Sequence, residues 1–166
     1  RPLYLHVDAS QAAAYLSVNV SSLGVDMLTL SAAKLSGPKQ VGLLWASDDV
    51  RLRPLVLGGG QEGGVRSGTE NVAGVIGFAC ALALADENRA DEARRISRLR
   101  DQLQRLLCAE FPQMLVSGPK NAKLRLPNLL HVSFPGLEAR RLVILLERLG
   151  VSVGTGSACA ASKMQI

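Results

Sequence analysis

Aromatic residues, cysteines and long uncharged apolar runs are all scarce in this sequence. Aromatics make up 4% of the 166 residues, and the three cysteines, Cys80, Cys108 and Cys159, are widely spaced with no CxxC pair. This pattern argues against a disulfide framework and against a structural zinc or other metal site, so we expect a reducing, cytoplasmic compartment. No apolar run reaches the roughly 18 residues that a membrane-spanning helix needs, so we expect no membrane partner.

The net charge, the apolar content and the chain ends indicate what kind of protein this is. The net charge of +5 comes from scattered arginines that no aromatic residues interleave, a pattern typical of a solvated helix face and not of a nucleic-acid-binding surface. The apolar content of 48% is enough to bury a core. The chain does not begin with Met, and its last residues are not typical of a domain end, so we expect a fragment of a longer protein.

Three short apolar runs in the first 46 residues predict strands. Residues 3–7 predict a buried strand followed by Asp8, and residues 27–31 and 41–46 predict two more. Residues 10–16 are typical of a short helix capped by Ser10. Because ligands of α/β sheets gather at the carboxyl ends of strands, Asp8 and Lys34 are candidate site residues.

Lys34 stands at the end of an apolar run, after the small residues Ser31, Ala32 and Ala33 and before a Gly37-Pro38 turn. Small neighbours leave room for a flat ligand against the backbone. Our interpretation is that Lys34 carries a cofactor as a Schiff base. The alternative is a strand-end lysine that points into water.

Residues 57–69 contain six glycines and predict a loop. Glycine-rich loops can present backbone N–H groups to phosphate, although this loop matches neither the P-loop nor the dinucleotide pattern. Two interpretations are open, a flexible connection and a recognition loop. The polar residues Arg66, Ser67 and Thr69 favour the second.

The rest of the chain predicts helices and two more strands. Residues 70–88 predict a buried helix, and an amphipathic helix from about residue 90 to Pro112 opens a second unit, so the predicted domains are 1–89 and 90–166. We expect Cys80 and Cys108 to be buried on these helices. Residues 115–117, 130–134 and 151–153 predict strands, and 138–149 predict a helix that Gly150 closes.

The last segment, residues 154–162, consists of glycine, serine, alanine and threonine around one cysteine. No bulky apolar neighbour covers Cys159, so its thiolate is a candidate nucleophile on a mobile loop. The alternative is an incidental cysteine. We expect residues 155–166 to be the least ordered part of the chain.

Four segments together resemble the NifS-like, group I cysteine desulfurases of the class V aminotransferases, which are pyridoxal-phosphate enzymes. The resemblance spans essentially the whole chain, keeps the family's order and spacing, and corresponds to the carboxyl-terminal half of the family. The matching segments are His6-Val-Asp-Ala-Ser-Gln11, Ser31-Ala-Ala-Lys34 with Gly37-Pro38-Lys39, Gly58-Gly-Gly-Gln-Glu62 with Arg66-Ser-Gly-Thr-Glu-Asn71, and Gly156-Ser-Ala-Cys159.

The resemblance implies an α/β fold of the type I pyridoxal-phosphate transferases, with part of the large-domain sheet and most of the small domain. It implies that Lys34 binds pyridoxal 5'-phosphate and moves the substrate proton. Asp8 then pairs with the ring N–H, Gln11 bonds the phenolic oxygen, and Ser31 and Thr69 bind phosphates.

The resemblance further implies that Cys159 takes the sulfur of L-cysteine as a persulfide, leaves L-alanine, and passes the sulfur to an acceptor protein for iron–sulfur cluster assembly. Thr69 acts across a homodimer in this family. Exposed strand edges and apolar surface lead us to expect self-association.

One departure bears on the cofactor. The family usually has histidine directly before the lysine, where this chain has Ala33. That histidine helps to hold the phosphate, so cofactor binding stays open. The alternatives are a selenocysteine lyase and a non-catalytic truncated relative that keeps the fold without binding cofactor.

Overall fold

The computed structural model describes residues 3–121 and 124–156. By its internal packing the chain divides into two compact units, Arg1–Leu99 with Leu126–Asn128, and Arg100–Arg125 with Leu129–Ile166. This division falls about ten residues after the predicted boundary at residue 89 and lies inside a helix. The assignment of the two parts to a large and a small domain stays a prediction.

The first unit contains a three-stranded sheet in the order β1-β2-β3. β1 is His6–Asp8, β2 is Met27–Ser31 and β3 is Gly42–Ala46. β1 runs parallel to β2, and β3 runs antiparallel to it. The three predicted strands are confirmed, with β1 shifted toward the carboxyl end so that it includes Asp8.

The prediction that the first strand is buried is wrong. His6 and Asp8 are exposed, because among the described residues β1 pairs with β2 alone and forms an edge of the sheet. β2 is the central strand and alternates strictly, with Leu28 and Leu30 buried on one face. This face is the centre of the core, which consists of Ala9, Ala13, Val25, Leu28, Leu30, Ala32, Leu35 and Phe78.

The predicted helix over residues 10–16 is a run of hydrogen-bonded turns. The Ala13 N–H donates to the Ala9 carbonyl and the Leu16 N–H to the Ala12 carbonyl, without a regular helix between them. Ser10 caps no helix, because no regular helix follows it, and its own N–H donates to the Asp8 carboxylate. This local side-chain bond competes with helix formation.

A one-turn helix, α1, covers Val20–Leu23 and was not predicted. The Asn19 side chain accepts a hydrogen bond from the Ser22 N–H, and Gly24 follows with φ +63°. Asparagine before and glycine after a short segment are the sequence signals of such a turn.

α2 is one continuous helix of 39 residues, Val72–Glu110, where the sequence predicted two helices meeting near residue 89. No glycine or proline interrupts residues 78–110, and the Asn88 side chain donates to the Leu84 carbonyl within the helix. The helix therefore continues through the change from apolar to charged composition. In the described chain no helix is long and apolar enough to cross a membrane.

The predicted burial of residues 70–88 is wrong, as is that of Cys80 and Cys108. Phe78 is buried, but Val75 and Ile76 are exposed, and so are both cysteines. This part of the helix is apolar on all sides, and the described elements cover only the side that carries Phe78. A helix that is apolar all round is buried only where packing partners surround it.

The second unit contains a two-stranded antiparallel sheet of β4, Leu115–Val116, and β5, Val132–Ser133. It also contains the helix α3, Ala139–Arg148. These confirm three predicted elements, each somewhat shorter than predicted. The prediction of a strand at residues 151–153 is wrong, since these residues are not assigned to a strand.

The end of α3 is a Schellman motif. Gly150 has φ +77°, its N–H donates to the Glu147 carbonyl, and the Val151 N–H donates to the Leu146 carbonyl. The prediction that Gly150 closes this helix is confirmed. The bonds satisfy carbonyls that the helix end would otherwise leave free.

Candidate functional site

Asp8 and Ser31 end two neighbouring parallel strands and therefore lie at the same edge of the sheet. Asp8 pairs in register with Thr29, and Ser31 follows two residues later on β2. Because Leu28 and Leu30 face the core, strand alternation places Thr29 and Ser31 on the opposite face. A hydrogen bond of 2.7 Å between His6 Nε2 and Thr29 Oγ1 shows that side chains of β1 share this face.

The Asp8 carboxylate is held in its ionised form. Hydrogen bonding from Ser10 lowers the pKa of Asp8 below its ordinary value, mainly through the Ser10 side chain and then through the Ser10 backbone N–H, 3.0 Å from Oδ1. The nearby His6 adds a smaller lowering of this pKa. An exposed carboxylate of this kind can accept a hydrogen bond from a protonated ring nitrogen without first losing a proton.

Lys34 lies in a short 3-10 helix, Ala32–Leu35, that begins directly after β2. Ala32 is completely buried and Leu35 nearly so, whereas Ala33 and Lys34 are exposed. The Gly37 N–H closes the turn by donating to the Ala32 carbonyl at 2.9 Å. Two buried residues thus fix the backbone that carries the exposed Lys34.

Gly37 is required for this close packing. A Cβ at position 37 would lie 3.0 Å from both the Ala32 carbonyl oxygen and the Ala81 Cβ. α2 approaches the same turn through Gly77, where an added Cβ would lie 2.7 Å from Pro38 Cγ. The Gly37-Pro38 turn predicted after Lys34 therefore packs directly against α2.

Lys34 also borders an open groove of about 720 Å³ in the first unit. Asp8, Gln11 and Ser31 do not line this groove. Tyr15, Cys80 and Glu92 do line it, and the sequence did not connect them with Lys34 because all three are distant from Lys34 along the chain. A hydrogen bond from Arg95 lowers the pKa of Glu92 and so favours the ionised carboxylate at this edge of the groove.

The glycine-rich loop is held by its own hydrogen bonds. Val56 and Arg66 form a β-bridge, and the buried Ser67 accepts through Oγ from the Gly60 N–H at 3.3 Å. The Gln61 side chain accepts from the Gly68 N–H at 3.0 Å. These bonds do not fit a loosely flexible connection. Whether the loop contacts phosphate stays a prediction.

The structure brings some of the predicted site residues together. Asp8, Ser31 and Lys34 lie at one end of the sheet, and Gln11 is exposed in the turns that follow Asp8. Thr69 is exposed at the end of the glycine-rich loop, in the same packing unit. Cys159 lies outside the described residues, as does most of its loop, so its predicted exposure and mobility stay predictions.

Residues 2–166 match the sequence profile of the family described as "Aminotransferase class-V". A protein of Clostridium botulinum (strain Hall), "Cysteine desulfurase IscS", is 41% identical over 162 residues, which cover 98% of this chain and 41% of that protein. "Cysteine desulfurase IscS 1" of Archaeoglobus fulgidus is 40% identical over 161 residues, covering 97% of this chain and 41% of that protein.

Solved structures give the same result for the fold. A structure titled "NIFS-LIKE PROTEIN" superposes with a TM-score of 0.83 at 37% identity, and a NifS-like protein from Rickettsia africae with 0.85 at 32% identity. Each comparison covers 92% of this chain and 41% of the other. The chain therefore spans about two fifths of the length of the relatives it matches.

Proposed function

Because this chain belongs to the aminotransferase class-V family and is similar to IscS- and NifS-like cysteine desulfurases, we propose that it is part of a pyridoxal-phosphate-dependent cysteine desulfurase. The fold is a fragment of the type I pyridoxal-phosphate transferase fold, as the resemblance implied. The proposed activity converts L-cysteine into L-alanine and leaves the sulfur on Cys159. The observation that carries the proposal is the grouping of an ionised Asp8, Ser31 and an exposed Lys34 at one end of the sheet.

The residues present fit the cofactor by their chemistry. Lys34 supplies a primary amine on a fixed turn, Asp8 an anionic acceptor for the ring N–H, and Ser31 a hydroxyl for the phosphate. Gln11 supplies an amide for the phenolic oxygen, and Thr69 a second hydroxyl. All five are exposed or half-buried, so each can reach a ligand.

When bound, pyridoxal phosphate withdraws electrons from the Cα of an amino-acid substrate. The role of Asp8 is to keep a proton on the ring nitrogen, which its lowered pKa favours because the carboxylate does not take that proton itself. The role of Lys34 is to hold the cofactor through its amine and to carry a proton to and from Cα. The buried Ala32 and Leu35 orient Lys34 for both tasks.

Cys159 has a separate role. Its thiolate attacks the sulfur of the substrate, the carbon–sulfur bond of the substrate breaks, and the product is a persulfide on Cys159. L-Alanine leaves with the carbon skeleton. A sulfur-acceptor protein then takes the outer sulfur, and the IscS name of the relatives supports a role in iron–sulfur cluster assembly. We further propose a homodimer in the cytoplasm.

Borohydride reduction of the whole protein with pyridoxal phosphate, followed by peptide mapping, tests the cofactor assignment. We expect the label on Lys34, and its loss in Lys34→Ala. Lys39→Ala is the matched control, because Lys39 is also exposed and lies five residues away. A label on Lys39 or Lys120 instead contradicts the assignment. No label at all favours the non-catalytic relative, the alternative that alanine at position 33 suggests.

The nucleophile is tested by Cys159→Ser, with Cys108→Ser as the control because Cys108 is an exposed cysteine that does not line the groove beside Lys34. We expect Cys159→Ser to abolish alanine formation from cysteine and to leave cofactor labelling at Lys34 unchanged. Cys108→Ser should retain both. Normal alanine formation in Cys159→Ser contradicts the role of Cys159. A separate comparison of selenocysteine with cysteine as substrate distinguishes a selenocysteine lyase from a cysteine desulfurase.

A further inference from the structure

At Gly77, α2 approaches the turn that carries Lys34 with no side chain between helix and turn. A Cβ added at position 77 would lie 2.7 Å from Pro38 Cγ and 3.3 Å from Pro38 Cδ. Because carbon atoms in contact lie about 3.5–4.0 Å apart, only glycine fits opposite Pro38 in this arrangement. Gly77 and Pro38 are both half-buried, and both line the groove beside Lys34.

Neither side of this contact can give way by rotating a side chain. The ring of Pro38 closes onto its backbone nitrogen, so its Cγ follows the backbone of the turn. The helix is held from the other side, since Phe78, the next residue of α2, is 6% exposed in the core of the first unit. Withdrawing the helix from the turn would pull Phe78 out of that core. A larger residue at position 77 therefore displaces the backbone at Pro38.

A displacement of the turn reaches Lys34 because the turn is closed by hydrogen bonds. The N–H groups of Ser36 and Gly37 both donate to the Ala32 carbonyl. The Ala32 N–H in turn donates to the Val41 carbonyl at 3.0 Å. Lys34 lies inside the closed segment, between the completely buried Ala32 and Gly37. A shift of Gly37 against the fixed Ala32 therefore changes the backbone that carries Lys34.

Two residues of the turn have backbone conformations that their surroundings must hold. Ser36 has φ +59° and Gln40 has φ +64°, which is the left-handed region that favours glycine. Such conformations persist where neighbouring contacts fix them. They flank Gly37 and Pro38, the two residues that pack against α2. We therefore expect the turn to change its conformation when its contact with α2 is overfilled.

We propose that Gly77 is a positioning residue for Lys34. By leaving the surface of α2 free opposite Pro38, it lets the turn seat directly after β2, so that Lys34 lies at the same end of the sheet as Asp8 and Ser31. A ligand that reacts with the Lys34 amine and contacts Asp8 requires this placement, since a shift of about 1 Å in a reacting group can cost about a hundredfold in rate. The inference rests on the proposed function, because the role of Lys34 is part of it.

The test is a double-mutant cycle in the whole protein. Gly77→Ala adds the Cβ, Pro38→Ala removes the Cγ and Cδ atoms that it meets, and a third variant combines both changes. Alanine is favoured over glycine inside a helix, so Gly77→Ala alone should not weaken α2. Gly154→Ala is the control, because its added Cβ would have the Gly156 carbonyl oxygen as its nearest neighbour, at the ordinary distance of 3.5 Å.

Two measurements are made on each variant. Amide hydrogen exchange of the peptide that contains residues 32–41, in protein without cofactor, reports the bonds that close the turn. Borohydride labelling with pyridoxal phosphate reports the placement of Lys34. We expect Gly77→Ala to speed the exchange and to lower the labelling of Lys34 about tenfold, but less than about twofold when both proteins compared carry Pro38→Ala. Gly154→Ala should change neither.

Unchanged labelling of Lys34 in Gly77→Ala overturns the proposal, even if exchange is faster, since Gly77 then serves packing alone. An equal loss of labelling with and without Pro38→Ala also overturns it, because the effect then does not pass through Pro38. If Gly77→Ala fails to fold by circular dichroism, the double variant should fold, and failure of both overturns the proposal.

Absence of Lys34 labelling in the unmutated protein overturns the proposed function instead. The exchange measurement then decides the role of Gly77 by itself. Faster exchange in Gly77→Ala that Pro38→Ala suppresses supports control of the Lys34 turn by Gly77, and unchanged exchange overturns it.

Discussion

Replacing Phe78 with alanine tests the packing that supports Lys34. Phe78 is 6% exposed and is the only aromatic side chain among the buried residues of the described core, whose other members are alanine, valine and leucine. A phenylalanine-to-alanine change in a core costs about 3–5 kcal/mol. We expect a cost within this range, because Phe78 is the largest buried side chain of this core and its truncation leaves a cavity. Since whole domains are stable by only about 5–15 kcal/mol, the loss is large.

The matched control is Ile76→Ala, on the same helix two residues away and 60% exposed. Its cost should stay below about 1 kcal/mol, since little apolar area is lost and alanine favours the helix. Urea unfolding of both variants at one protein concentration, followed by circular dichroism, measures the two free energies. Equal destabilisation by the two changes would show that α2 does not pack on the sheet through Phe78.

Three further expectations follow from the described residues. The lowered pKa of Asp8 means that its ionised form stabilises the folded chain above about pH 4, and this stabilisation is lost as the pH falls through the pKa of the folded state. The difference in unfolding free energy between the unmutated chain and Asp8→Asn should therefore shrink on acidification. A constant difference in urea titrations would contradict this. Cys80 and Cys108 are exposed, so iodoacetamide should modify both in the native state, contrary to our expectation from the sequence. If peptide mapping finds both thiols unmodified, another part of the protein or a partner covers them. The exposed apolar side chains of α2, including Val72, Val75 and Ile76, should drive self-association, and a monomer by light scattering at micromolar concentration would refute this.

The sequence predicts strands, turns and helix ends well where a local signal is strong. β2 ends in a run of small residues before a Gly-Pro turn, and the structure places Lys34 there on a fixed turn. The Gly150 end of α3 is equally local, since glycine is favoured in that backbone conformation.

The predictions that failed concern features that depend on packing between distant parts of the chain. Hydrophobic composition predicted burial for residues 70–88, but burial also requires neighbours, and the described chain covers only the Phe78 side. The turns after Asp8 include a bond from the Ser10 N–H to the Asp8 carboxylate, which a count of helix-forming residues does not reveal. The groove that joins Lys34 with Tyr15 and Cys80 needs three distant segments to fold together, and no spacing in the sequence shows it.

The turn that carries Lys34 has a consequence for how such chains evolve. Its shape depends on Ala32, Leu35 and Gly37, which are buried or closely packed, whereas Ala33 and Lys34 are exposed on its surface. Mutation at the exposed positions should therefore change the surface of the turn with little effect on folding. A lineage can therefore accept other residues at positions 33 and 34 and still inherit an intact scaffold on which a different ligand can later be selected.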